Sequence, residues 1–213
     1  PRYPTRVPPP ARWRFTVQRG GTTGEGVWDW SVADGRYRSH LQATLDGRPL
    51  LDQSSEGALD ADGLAPERLL ERGRGRSARA VNFQRERALV SFSGSRRAWA
   101  LWPGTQDGLS WLPQLLAVLA ARPGWTSGDT LRLAVARADG ELAPWDWRLA
   151  DTSPWQGHPA WHWVREPDRP YDHRIELWLD PRPPHWPRAW RWQRVPGGEP
   201  VLWTRTDPED ERP

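Results

Sequence analysis

The chain of 213 residues contains no cysteine, no methionine and no lysine, and each absence narrows what the protein can do. Without cysteine it can form no disulfide, no thiol nucleophile and no cysteine-based metal site. Its longest apolar run covers residues 115–121, whereas a membrane-spanning helix needs about 20 apolar residues. We therefore expect no membrane span within this chain.

Arginine, proline, glycine and tryptophan are abundant instead, with 30, 23, 19 and 17 copies. These four residue types have GC-rich codons, so the arginine count alone is weak evidence for nucleic-acid binding. The net charge is only +3, whereas DNA-binding domains usually concentrate a stronger positive excess. We expect no nucleic-acid partner.

Most of the chain has the pattern of short β-strands separated by tight turns. Apolar Trp13, Phe15 and Val17 alternate with polar residues, and Asp34-Gly35 is typical of a hairpin turn. Because the connections are short, the strands should form an antiparallel meander, which must curl or close to protect its edges. We predict a mainly β fold: a curved antiparallel sheet, or half-open barrel, of about ten to twelve strands with one amphipathic helix on its concave face.

The one helix is predicted at residues 111–121. Apolar residues recur at helical spacing between Leu109 and Leu119. Ser110 is the predicted N-cap, because Pro113 then falls in the first turn, where a missing N–H is tolerated. On the flanks of the helix we expect Trp111 and Gln114.

The two ends of the chain differ in composition from the rest. Residues 1–10 are basic and rich in proline, so we expect an extended linker. Residues 11–206 should form a single β-rich domain, and residues 207–213 an acidic, disordered tail. Because the chain begins with proline rather than methionine, we expect that an upstream segment was removed.

Several short motifs occur in an order typical of one protein family. They are Ser55-Glu56-Gly57, Gly63-Leu64-Ala65-Pro66, Glu71-Arg72-Gly73-Arg74, Gln106-Asp107-Gly108-Leu109-Ser110 and Gln114-Leu115. In these motifs the chain resembles the bacterial domain of unknown function 3108, although members usually have Phe-Asp where this chain has Asn82-Phe83-Gln84. The resemblance implies no reaction and leaves open the role of the motif residues Glu56, Gly57, Gly63, Leu64, Pro66, Gln106, Asp107, Ser110 and Gln114.

The same resemblance implies a location and a fold. Members look like exported proteins with an N-terminal hydrophobic segment and a proline-rich spacer, so we expect a periplasmic or cell-envelope protein, tethered by a removed upstream segment. The implied fold is a curved antiparallel sheet closed by a helix, similar to the periplasmic lipoprotein-localisation carriers. A half-barrel with a helical plug leaves an apolar pocket of the kind that takes acyl chains.

Tryptophan pairs at two-residue spacing occur four times, as Trp28/Trp30, Trp145/Trp147, Trp161/Trp163 and Trp190/Trp192. Within a strand both members of a pair face the same side. Large apolar residues usually fill the core, which is one interpretation. The other is an aromatic wall that binds an acyl chain or a sugar ring. On that interpretation the ligand-binding candidates are Trp28, Trp30, Trp111, Trp145, Trp147, Trp161 and Trp163.

A second candidate site is a row of arginines in the basic stretch of residues 67–97. Its members are Arg68, Arg72, Arg74, Arg76 and Arg79, of which the first four are the ligand-binding candidates. Guanidinium groups match phosphate and carboxylate bidentately, so this row could hold an anionic head group. The alternative is a solvated face paired with nearby glutamates.

The polar residues at the helix start are predicted to form caps and turn hydrogen bonds rather than a catalytic site; they are Gln106, Asp107, Ser110 and Gln114. No Gly-x-Ser-x-Gly motif surrounds any serine, and the five histidines have no recognised metal spacing. We therefore expect no enzymatic activity, no metal and no cofactor.

The leading hypothesis is a non-enzymatic envelope protein that binds an apolar or amphipathic, lipid-like molecule. The concave face would take the apolar chain, the helix would act as a lid, and arginines would meet an anionic head. Two alternatives stay open. A glycan-binding or glycan-cleaving protein needs exposed tryptophans and, for cleavage, two carboxylates about 5–10 Å apart. A structural module that binds another envelope protein needs a large exposed apolar patch.

Overall fold

The computed structural model describes residues 2–73 and 77–206, and its strands form one continuous sheet. The described residues contain fifteen strands, one α-helix and one 3-10 turn, Arg85–Arg87. The strands are β1 (Ala11–Arg19), β2 (Thr22–Ala33), β3 (Arg36–Leu45), β4 (Arg48–Asp60), β5 (Gly63–Arg72), β6 (Arg79–Gln84), β7 (Leu89–Phe92), β8 (Ser95–Ala100), β9 (Gln106–Asp107), β10 (Thr130–Ala136), β11 (Leu142–Asp151), β12 (Trp161–Arg165), β13 (Asp172–Leu179), β14 (Pro187–Val195) and β15 (Val201–Arg205).

The mainly β, antiparallel prediction is confirmed, but fifteen strands exceed the predicted ten to twelve. The alternation of apolar and polar residues fails to reveal the short strands beside the helix. β8 is almost wholly exposed and has no apolar stripe, and β9 is only two residues long. Strands of these two kinds carry no periodic signal to detect.

The sheet order follows from two meanders that meet at one seam. The order is β8-β7-β6-β5-β4-β3-β2-β1-β15-β14-β13-β12-β11-β10-β9, so the first and last long strands pair at the centre. At this seam Phe15 lies opposite Arg205 and Val17 opposite Trp203. All pairs are antiparallel except β9 with β10.

The sheet is open but so curved that its two ends touch. The indole Nε1 of Trp99 in β8 donates to the carbonyl oxygen of Gly140 at 3.0 Å. Arg97, also in β8, pairs with Glu141. Because residues 137–141 join β10 to β11, these bonds connect one end of the sheet to the other.

Helix α1 (Trp111–Ala121) has the predicted bounds and lies inside the curve of the sheet. Ten of its eleven residues are buried. Trp111 and Gln114, which were predicted on the flanks of the helix, are both buried. The sheet covers the helix on several sides rather than one, so no flank stays in water. Ser110 precedes the helix, but its hydroxyl makes no capping bond to it. Within the described residues, no helix is long and apolar enough to cross a membrane.

Residues 2–10, predicted as a linker, are extended and pack along the domain. The backbone N–H of Arg6 donates to the carbonyl oxygen of Ala117 in the helix at 2.8 Å. The indole of Trp30 donates to the carbonyl oxygen of Pro8 at 3.0 Å. This segment therefore covers part of the helix that the sheet leaves open. The predicted acidic tail, residues 207–213, lies outside the described residues.

Gly57 tests how tightly β4 and β5 approach each other. A methyl group at Gly57 would lie 2.2 Å from the carbonyl oxygen of Ala65. Because this oxygen belongs to the backbone of β5, the strand itself would have to shift to make room. We expect Gly57→Ala to lower the free energy of unfolding by about 2 kcal/mol or more, measured by urea unfolding. The matched control is Gly21→Ala, where a methyl group meets no atom within 4 Å. Equal losses in both variants would contradict this packing argument.

Candidate functional site

An apolar pocket at the helix start is the candidate site. Its volume is ≈ 260 Å³, and none of its lining residues carries a charge. The helix and the turn before it contribute one side, and strands β3, β4, β14 and β15 contribute the rest. The lining residues are Trp111, Trp190, Trp192, Trp203, five leucines (Leu41, Leu50, Leu51, Leu109 and Leu112), Val201, Gly108 and Gln53.

Strands β14 and β15 set the aromatic wall of the pocket. Trp190 lies directly opposite Trp203, and Trp192 lies opposite Val201. The rings of Trp190 and Trp203 stack with centroids 5.0 Å apart. Because alternate residues of a strand share a face, Trp190 and Trp192 both project toward the helix. The wall is therefore built of rings held by their own cross-strand neighbours.

The helix contributes Trp111, which is itself fixed by aromatic contacts. Its ring stacks on Trp147 of β11 with centroids 5.0 Å apart and planes 15° apart. It also meets Trp192 edge to face at 6.0 Å. Offset-stacked and edge-to-face pairs are the favoured aromatic geometries, so this side of the pocket is preformed.

One amide gives the pocket its polar character. Gln53 of β4 lines the pocket, and its Nε2 donates to Oε2 of Glu71 in β5 at 2.7 Å. Leu50 and Leu51 near the start of β4 and Val201 at the start of β15 lie at the same end of the sheet. Gln53 lies farther along β4 and pairs with Leu41 of β3, another lining residue.

A buried hydrogen-bond network fixes the helix start beside the pocket. Ser55 Oγ donates to Asp107 Oδ2 at 2.6 Å, and Tyr37 Oη shares a hydrogen bond with Ser55 Oγ at 2.9 Å. Asp107 Oδ1 accepts the backbone N–H groups of Leu109 and Ser110. Burial raises the pKa of the Asp107 carboxyl against the opposing effect of these hydrogen bonds. These bonds occupy both oxygens of the Asp107 carboxyl group, so the network positions the start of the helix.

Two glutamines extend this network to the β4–β5 turn. Gln106 Nε2 donates to the carbonyl oxygen of Leu64 at 2.9 Å. Gln114 Oε1 accepts the N–H of Leu64 at 2.8 Å, and Gln114 Nε2 donates to the carbonyl oxygen of Asp62 at 2.7 Å. A side chain on Gly63 would collide with Gln114, since a methyl group there would lie 2.5 Å from its Oε1.

Most motif residues therefore meet around the helix start. Gly63, Leu64, Gln106, Asp107, Ser110 and Gln114 belong to this group. Asp107 and Ser110 make the turn hydrogen bonds that were predicted, whereas the side chains of Gln106 and Gln114 bond to the distant β4–β5 turn. Pro66 is buried nearby, and its carbonyl oxygen accepts from Arg85 at 3.0 Å. Glu56 points away, on the outer face, 3.9 Å from Arg38.

The seven tryptophans chosen from the sequence mostly fill the core. Of these, Trp111 lines the pocket, and Trp161 is half-buried against the ring of His185 at 4.7 Å. The other five are buried without lining the pocket: Trp28, Trp30, Trp145, Trp147 and Trp163. Sequence reasoning noticed the pair Trp190/Trp192 without selecting it and missed Trp203. The two-residue spacing shows which tryptophans share a face but not which strands face the helix start.

The arginine row is separated from the pocket. Arg68 and Arg72 are exposed on the outer face, where Arg72 lies 3.7 Å from Asp52. Arg74 and Arg76 lie outside the described residues. The expected combination of an apolar pocket with Arg68 and Arg72 as its head-group site is therefore wrong, because side chains of opposite parity in β4 and β5 face opposite sides.

Neither a family model nor a curated protein matches the sequence, so the resemblance to domain 3108 stays a prediction. The fold is similar to the crystal structure of a β-barrel-like protein of the domain of unknown function DUF1849 from Brucella abortus. The TM-score is 0.60, with 14% sequence identity over 95% of this chain and 98% of that chain. At this identity the similarity concerns the fold alone.

Asp107→Asn should gain stability relative to the native chain as pH rises. The folded pKa of Asp107 lies above its ordinary value of 3.8. The stability that the Asp107 carboxyl group contributes is therefore fully present below pH 3.8 and is lost as pH rises through the raised pKa. Asparagine does not titrate, so the free energy of unfolding of the variant minus that of the native chain should increase from about pH 4 to about pH 8, measured by urea unfolding.

The control for this prediction is Asp34→Asn, which removes the same charge in the exposed β2–β3 turn. Because Asp34 is exposed, the change in this variant should be smaller than in Asp107→Asn over the same pH range. A difference for Asp107→Asn that stays constant with pH would show that burial does not penalise this carboxylate.

Proposed function

We propose that this chain binds an apolar or amphipathic, lipid-like molecule in the tryptophan-lined pocket at the helix start. The observation that carries the proposal is an uncharged pocket of ≈ 260 Å³ whose walls are tryptophan, leucine and valine. An apolar cavity of about 150 Å³ holds benzene, so by proportion this pocket has room for about ten carbon atoms. That is one medium-length acyl chain or a compact ring system.

The chemistry of the lining favours binding over catalysis. Its side chains include no nucleophile and no group that titrates near neutral pH. The nearest buried carboxyl, Asp107, has its oxygens occupied by Ser55 and two backbone N–H groups. We therefore propose a non-enzymatic protein. Catalysis would need an acid, a base or a nucleophile in contact with the ligand.

The glycan and structural-module alternatives receive less support. Sugar-binding tryptophans must present a ring face to water, whereas six of the seven candidates are buried. Among the described residues, few large apolar side chains are clearly exposed; they are Trp99, Trp102 and Tyr171.

We propose a periplasmic or cell-envelope location on the basis of the family resemblance and the proline-rich start.

Val201→Trp should close the pocket. Val201 is half-buried in the pocket lining and pairs with Trp192 across the sheet. An indole at this position would occupy the space that the ligand needs. We expect native mass spectrometry of the native chain, expressed with a periplasmic signal, to show an added mass of lipid size that is lost after denaturing extraction. In Val201→Trp the bound fraction should fall at least about tenfold.

The matched control is Val27→Trp, the same substitution on the outward-facing side of β2. It adds an indole outside the pocket and should leave the bound fraction unchanged. A native chain that carries no added mass, even after incubation with decanol, would contradict the proposed function. Equal loss in both variants would show that the ligand lies elsewhere.

A further inference from the structure

We propose that the pocket selects a neutral amphiphile with a hydroxyl group at its polar end, and that Gln53 and Glu71 set this selectivity. The inference rests on the proposed function and narrows its ligand class. It also replaces the anionic head group that the arginine row suggested.

The orientation of the Gln53 amide makes it an acceptor for the ligand. Its Nε2 is engaged by Glu71 Oε2 at 2.7 Å, and within residues 2–73 and 77–206 no donor reaches its Oε1. The Oε1 atom keeps exposed surface, so a ligand can reach it. A hydroxyl group can donate to it, whereas a carboxylate has no hydrogen to donate.

The charge beside the amide disfavours an anion. A head group at Gln53 would lie one side chain away from the Glu71 carboxylate, in a pocket whose lining has no positive charge. Like charges repel more strongly where apolar walls exclude water. A neutral hydroxyl group avoids this repulsion and still makes the hydrogen bond.

In the part of the chain that the structure describes, the basic side chains nearest in the sequence, Arg72 and Arg79, form no ion pair with Glu71. Arg72 faces outward and pairs with Asp52 at 3.7 Å. Arg79 lies opposite Glu71 in the β5–β6 register, but its side chain runs beside Gly94, where a methyl group would lie 3.7 Å from its Cγ. Among the described residues, no basic group lies within ion-pair distance of Glu71, whose side chain instead holds the amide of Gln53.

The test is calorimetric titration of the purified full chain, freed of bound lipid, with 1-decanol and with decanoate below their aggregation concentrations. We expect decanol to bind at least about tenfold more tightly than decanoate. Glu71→Gln should remove most of this difference by raising the affinity for decanoate, with decanol affinity nearly unchanged. Glu25→Gln removes the same charge on the outer face and should change neither affinity.

A second variant tests the hydrogen bond itself. Gln53→Leu keeps the pocket apolar and should weaken decanol binding about fivefold. Its matched control is Gln42→Leu, an exposed glutamine of β3 on the outer face, which should have no effect. Equal binding of decanol and decanoate, unchanged in Glu71→Gln, would overturn the selectivity and leave the pocket intact. Failure of both ligands to bind would overturn the proposed function as well.

Discussion

The junction between the helix and the sheet depends on the buried carboxyl group of Asp107, which is hydrogen-bonded to β4 and to the turn before the helix. A charged group away from water is costly unless hydrogen bonds satisfy it. Here Ser55 supplies a bond from β4, and the backbone of the turn supplies two more. The next residues, Gly108 and Leu109, line the pocket. The bond that fixes where the helix begins therefore also fixes one wall of the binding site, and the stability of the fold and the shape of the site are linked.

The pocket lies where two kinds of packing meet. Flat indole rings of β14 and β15 form one side, and leucines of β3 and β4 form the other. Trp111 connects the sides, because its ring is held against Trp147 while its neighbour Leu112 faces the pocket. Rigid rings held by their own partners cannot rearrange to fill a gap as flexible aliphatic chains do. A cavity at this junction is therefore a natural outcome of the tryptophan content, whatever the cavity binds.

Sequence patterns predicted the elements well and their contacts poorly. The helix at residues 111–121 followed from leucine spacing and from the position of Pro113, both of which are local. The edge strand β8 and the short β9 carry no periodicity, so the strand count was too low. The role of Trp203 depends on its pairing with Trp190 across the sheet, which is set by register. Register and curvature are properties of the whole sheet, so no single stretch of sequence reveals which tryptophans meet the helix.

The abundance of arginine and the absence of charge in the pocket have a common cause. Along a curved sheet, alternate side chains face either the helix or water. One charged pair is buried, with Arg165 over the ring of Trp145 and 2.6 Å from Asp172, and much of the remaining charge lies on the outer face. There it is neutralised locally, as in Arg12 with Asp29 at 3.3 Å and Arg36 with Glu67 at 2.7 Å. Exposed pairs of this kind add little stability and leave the interior unaffected. Composition therefore describes the outer face, while the chemistry of a ligand is set by the few polar side chains that point inward at the pocket. Gln53, held by Glu71, is the residue in that position.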